Sequence, residues 1–186
     1  MTAPRCVLVD RDGVLNVDHP QGTLSLAALA IEAGAPEAVA RLTAAGFRVL
    51  VITNQGCVGR GELARDQLQR INAAVEEAVV AAGGRIDAWY VCMHRAEDGC
   101  ACRKPAPGLL LDAQRDWGFD PAQTWFVGDA ARDADAALAA GCRPLVVRTG
   151  KGATTMRERP ELPAVDDLSA AVSLILDQAA TGDGPA

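Results

Sequence analysis

Five short apolar runs alternate with segments of helical period along the 186 residues. That alternation predicts an α/β fold: a doubly wound, mostly parallel sheet with helices on both faces. Two further observations agree. Three of the runs end in a carboxylate or hydroxyl side chain, as strands do whose carboxyl ends form a ligand-binding rim. Hydrophobic residues make up 49 % of the chain, enough for one ordinary domain to bury its core without disulfide staples.

The elements follow in order. Residues 6–10 are the first strand, too close to the start of the chain for a signal peptide to precede it. Residues 17–33 are a low-charge loop. A helix over 36–45 opens on Pro36 and stops at Gly46. Residues 48–53 form the second strand. The helix over 62–82 places Leu68, Ile71, Val75 and Val79 on one face. A third strand over 88–93 leads into a loop, 94–104, dense in cysteine and charge. Helices over 107–117 and 132–140 end at Gly118 and Gly141. Strands over 124–129 and 144–148 and a last helix over 168–179 complete one domain spanning 1–180, and 181–186 form a frayed polar tail.

Eighteen Lys and Arg against 24 Asp and Glu leave a net charge of −6, without the basic footprint of a nucleic-acid binder. No apolar run approaches the roughly 20 residues of a membrane span. The chain therefore reads as a cytoplasmic protein with reduced cysteines, and as a monomer, since it has no heptad seam.

The strand ends carry the chemistry. The first delivers Asp10 and Asp12, the second Thr53-Asn54-Gln55, the fourth Gly128-Asp129. Carboxylates gathered on one rim repel one another unless a cation neutralises them. Mg²⁺ takes oxygen ligands of this kind, together with a substrate phosphate, and an aspartate beside it can attack phosphorus. Cys92, His94, Cys100 and Cys102 are four soft or borderline ligands within eleven residues, which suits tetrahedral Zn²⁺. The four leave no position open to water, so the zinc is structural. It pins the next two residues, Arg103 and Lys104.

Asp10-Arg11-Asp12-Gly13-Val14-Leu15-Asn16 resembles the DxDG motif of the haloacid-dehalogenase-like (HAD) phosphatases. Thr53-Asn54-Gln55, Arg103-Lys104-Pro105 and Gly128-Asp129 with Asp133 resemble their second, third and fourth motifs, in order. The resemblance implies a HAD-like Rossmannoid sheet without a large cap domain, and Mg²⁺-dependent phosphomonoester hydrolysis through an aspartyl-phosphate. It implies Asp10 as nucleophile and Asp12 as acid and base. Thr53 and Lys104 would bind phosphoryl oxygens, and Asp10, Asp129 and the Asp12 carbonyl would hold Mg²⁺. The zinc loop is similar to that of the branch acting on heptose 1,7-bisphosphate and on histidinol phosphate. That likeness implies substrate contacts from Asp18, His19, Gln21, Asn54, Gln55, Gly56 and Arg103. Arg60 or Arg103 is a candidate for binding a second phosphate.

The implied substrate is a small sugar bisphosphate, D-glycero-D-manno-heptose 1,7-bisphosphate losing its C7 phosphate. The alternatives are histidinol phosphate and a non-catalytic, zinc-stabilised binding module. Three departures from the pattern stand out. Ala130 occupies a place often held by Lys or Arg, which predicts one phosphate-facing cation fewer. Gly56-Cys57 stands where the family often has Ser-Gly, so a hydroxyl is lost and a thiol gained near the site, and residues 21–26, after Asp18-His19-Pro20, lack the aromatic and charged side chains of the heptose enzymes.

Overall fold

A computed structural model describes residues 3–181; the tail expected to fray lies outside them beyond Thr181. Six strands form one all-parallel sheet: β1 (Cys6–Val9), β2 (Arg48–Asn54), β3 (Ala88–Cys92), β4 (Trp125–Gly128), β5 (Arg143–Val147) and β6 (Ala164–Val165), in the order β3-β2-β1-β4-β5-β6. The helices are α1 (Ala35–Ala44), α2 (Gly56–Gly59), α3 (Arg65–Ala81), α4 (Gly108–Trp117), α5 (Ala131–Ala139), α6 (Gly152–Glu158) and α7 (Leu168–Thr181). Among the described residues no helix is long and apolar enough to cross a membrane.

The strands divide their side chains between two layers with a period of two. Val7 and Val9 of β1 join Val49, Val51 and Val127 in a core closed by Val39 and Leu42 of α1, Val75 and Val79 of α3, and Val172 and Ile175 of α7. Leu8 faces the other way, with Leu50, Ile52 and Phe126, and packs on Leu110 of α4 and Ala136 of α5. The helical stripe Leu68, Ile71, Val75 and Val79 is buried along its whole length.

The chain winds outward from β1 to β3, then crosses back to place β4 on the other side of β1. The switch point of the sheet therefore lies between β1 and β4, where parallel pairing sets Val9 beside Val127. Asp10 and Asp129 leave the sheet there.

Three elements were not expected: α2 and β6, which span four and two residues, and α6. The α3 helix begins at Arg65 rather than 62. Gly61 takes φ +74°, and Arg60 forks onto Glu62, so residues 60–62 are held as a turn. Gln67 Oε1 then accepts the Ala64 N–H at the start of the helix. The loop over 17–33 folds back on the first motif, with Val17 N–H donating to Ala30 O and Glu32 N–H to Leu15 O.

Candidate active site

Asp10 is buried one residue past β1. Its Oδ1 accepts the Arg11 N–H at 2.7 Å, and its Oδ2 lies 2.9 Å from Lys104 Nζ. Burial pushes its carboxyl up to about 6, against the pull of Lys104. Asp129 is fully buried past β4. Its Oδ2 accepts the Lys151 N–H at 2.7 Å, while its Oδ1 has no partner. Burial and then the nearby Asp10 raise its carboxyl to about 7. Asp133, in the first turn of α5, accepts the Ala130 N–H at 3.0 Å and lies 2.8 Å from Lys104 Nζ. One oxygen from each of Asp10, Asp129 and Asp133 falls within 4.8 Å of the others.

Two glycines make room for Asp129. A Cβ on Gly13 (φ +82°) or on Gly150 (φ +54°) would stand 2.2 Å from Asp129 Oδ2. Thr149 Oγ1 donates to Gly13 O at 2.6 Å, which closes the loop after β5 over the loop after β1.

Asp12 is kept apart from this cluster. Burial works against its charge. The Arg11 guanidinium and hydrogen bonds from Arg11, Asn16 and Gln55 outweigh that and hold the carboxyl below its usual range. Arg11 Nη2 lies 2.8 Å from Asp12 Oδ1, and Gln55 Nε2 donates to Asp12 Oδ2 at 2.7 Å and to Thr53 Oγ1 at 2.9 Å. Arg11 is itself buried and is anchored by Asn72 of α3 at 2.9 Å. Nothing in its local context marks it out, because an arginine between two aspartates reads as a solvated surface residue.

Lys104 is as buried as the carboxylates it serves. Its Nζ contacts Ile52 O at 2.8 Å, Asp10 and Asp133. Asn54 fixes its backbone with two hydrogen bonds, donating to Lys104 O at 3.0 Å and accepting the Lys104 N–H at 3.1 Å. The polar atoms of Asn54 thus hold Lys104 in place.

A cavity of about 130 Å³ opens over these residues. Its lining includes Asp10, Asp12, Thr53, Asn54, Gln55 and Gly56 from the strand ends, together with Asp18, His19, Gln21, Arg60, Arg103, Arg132 and Lys151. Asp18 pairs with Lys151 at 2.8 Å, and the His19 ring is held by Ala28 O at 2.9 Å. Arg60 and Arg103 both reach over Gly56. Arg103 donates to His94 O at 3.2 Å. Ala130 supplies no cation, as its residue type dictates, while Arg132, two residues on, lines the same cavity. A larger hollow of about 350 Å³ lies at the opposite end of the strands, near the starts of β1, β4 and β5, and holds none of the clustered carboxylates.

Cys92, His94, Cys100 and Cys102 converge beside β3. The sulfurs are 3.4–3.7 Å apart, and His94 Nδ1 is 3.2 Å from Cys102 Sγ. A tetrahedral ion with Zn–S bonds near 2.3 Å needs edges of about 3.5–3.8 Å. The donor geometry therefore fits Zn²⁺. The acidic cluster, with its unpartnered buried Asp129 oxygen, fits a hard cation.

Residues 101–171 match the HAD-hydrolase-like family model. The chain is 39 % identical over 172 residues to the D-glycero-β-D-manno-heptose-1,7-bisphosphate 7-phosphatase of Pseudomonas aeruginosa, covering 91 % of this chain and 97 % of that one. It is 38 % identical to the enzyme of the same name from Bordetella bronchiseptica, over 94 % and 99 % of the two chains. The crystal structure of D,D-heptose 1,7-bisphosphate phosphatase from B. bronchiseptica, complexed with magnesium and phosphate, superposes with a TM-score of 0.90 at 36 % identity, covering 94 % of this chain and 99 % of that one. Likeness of this extent, in sequence and in fold, places the chain among the HAD-like hydrolases, and it belongs within them to the family of these heptose-bisphosphate phosphatases.

Proposed function

We propose that the protein is a Mg²⁺-dependent phosphatase that removes the C7 phosphate of D-glycero-D-manno-heptose 1,7-bisphosphate, or of a close sugar bisphosphate. The observation that carries the reading is the pairing of Asp10 with Asp129 at the switch point, with one Asp129 oxygen buried and unpartnered. Asp10, Asp129 and the backbone carbonyl of Asp12 would hold Mg²⁺. The ion would neutralise the carboxylates and polarise a phosphoryl oxygen.

In this reading a carboxylate oxygen of Asp10 attacks phosphorus. The bond from phosphorus to the sugar oxygen breaks, and that oxygen takes a proton from Asp12. A water then attacks the aspartyl-phosphate, gives a proton back to Asp12, and frees Asp10 and orthophosphate. Asp12 rests ionised, which suits the second step. The first step requires its protonated form, and an incoming phosphate dianion favours that form by repulsion. Thr53 and Lys104 orient the phosphoryl group. Four cations around one small cavity, Arg60, Arg103, Arg132 and Lys151, support a substrate with two phosphates over one with a phosphate and an amine. In the same reading Zn²⁺ on Cys92, His94, Cys100 and Cys102 fixes Arg103 and Lys104.

The test compares kcat/KM for the heptose bisphosphate and for L-histidinol phosphate in Mg²⁺. A preference of a hundredfold or more is expected, equivalent to about 2.7 kcal/mol. Asp10→Asn should abolish turnover with the fold and zinc content intact. Equal rates on the two substrates, or an active Asp10→Asn enzyme, would overturn the reading.

A further inference from the structure

We propose that Arg132 binds the phosphate that reacts at Asp10, as a substrate-contacting cation of this site; the inference rests on the phosphatase reading above. Every other cation around the cavity already has a partner. Lys104 Nζ donates to Ile52 O and is ion-paired with Asp10 and Asp133. Arg60 forks onto Glu62 with two contacts of 2.8 Å. Lys151 is paired with Asp18, and Arg103 donates to His94 O.

The Arg132 side chain makes no hydrogen bond or ion pair among the described residues, although it is half-buried and its Nε is buried without a partner. A half-buried guanidinium with all five donors free and one face on a cavity is in a costly state unless an anion arrives there.

Position and charge say which anion. Arg132 sits in the first turn of α5, three residues past Asp129 and next to Asp133, so it approaches from the β4 side of the switch point. Arg60 and Arg103 meet over Gly56, beyond β2, on the other side. The reacting phosphate must lie against Asp10. There, three carboxylates and a phosphate dianion carry five negative charges. A divalent ion and Lys104 supply three positive ones. Arg132 lies within electrostatic reach of Asp10, Asp129 and Asp133, and it can present two parallel N–H bonds to a pair of phosphoryl oxygens.

Orthophosphate is the product of any phosphomonoesterase, so it probes Arg132 without depending on the sugar. Its dissociation constant would be measured by calorimetry at saturating Mg²⁺ for wild type, Arg132→Gln and Arg132→Lys, with the Mg²⁺ affinity of each measured separately. Binding should weaken at least tenfold in Arg132→Gln and recover most of the loss in Arg132→Lys. Unchanged phosphate binding in Arg132→Gln would overturn the proposal. So would a loss that vanishes once Mg²⁺ is saturating, since Arg132 would then only balance the carboxylates. Should Arg132→Gln not fold, the wild-type chain answers. Phosphate with Mg²⁺ should protect Arg132 from an arginine-modifying dicarbonyl, read by mass spectrometry, and an unprotected Arg132 would refute the assignment. A failure to turn over heptose bisphosphate alongside intact Arg132-dependent phosphate binding would count against the substrate alone.

Discussion

A methyl group on residue 150 would sit 2.2 Å from Asp129 Oδ2 and 2.7 Å from the Cα of Gly13, on a backbone with φ +54°. Gly150→Ala must therefore push Asp129 or the first-motif loop away, and a left-handed conformation costs a side chain about 1 kcal/mol besides. The expected result is a tenfold or greater rise in the Mg²⁺ concentration needed for phosphate release, with a lowered melting temperature; unchanged Mg²⁺ dependence would show that Asp129 does not depend on this packing. At this scale the sequence is partly legible. Asp10, Asp12, Thr53 and Asp129 stand out because they end apolar runs, and their spacing along the chain is preserved as their position on one rim. Arg11 and Arg132 do not stand out. Each reads as a solvated charge until the fold encloses it, and the residue anchoring Arg11 is Asn72, 61 positions away.

The loop from β3 to α4 is the element on which the site depends at a distance. Its four candidate zinc donors, Cys92 to Cys102, lead into Arg103 and Lys104, and Gly108 N–H donates back to Ala101 O, so the loop closes on itself. Removing zinc with a chelator that spares Mg²⁺ should loosen both cations. A misplacement of about 1 Å can cost about 10²-fold in rate. We expect a fall in kcat/KM of that order, restored by added Zn²⁺; full activity in protein verified as zinc-free would exclude the role. The donor set was readable because soft ligands at short spacing need no tertiary information. The elements α2, α6 and β6 were not. The first and last are too short to show a period, and α6 is held by a tertiary bond, Thr155 Oγ1 to Asp129 O at 2.8 Å.

Across the whole molecule, stability and metal binding are linked through protons. Asp10 and Asp129 sit near 6 and 7 without an ion, above their ordinary 3.8. A carboxyl raised in the fold favours the protonated folded state. The metal-free protein therefore loses stability as pH climbs from about 4 through about 7, and levels off above that. Mg²⁺ takes the place of those protons. Its stabilising effect should be larger at pH 8 than at pH 5.5, measured as the gain in melting temperature at millimolar Mg²⁺; an equal gain at both would mean that the ion does not displace protons from this pair. The parallel sheet itself was legible, because alternation and strand composition fix it. The order of its strands was not legible, since nothing local to β4 says that it returns beside β1.

The pairing of Val9 with Val127 has one more implication. Sliding β4 by two residues along β1 would keep every inward side chain inward, so the hydrophobic cores alone would discriminate weakly against the error. It would also carry Asp129 about 6.6 Å along the strand direction, out of reach of any ion shared with Asp10. Divalent-ion affinity is thus a gauge of strand alignment at the centre of the sheet, and a folding population held in the slipped alignment would be drawn toward the native one as Mg²⁺ is added.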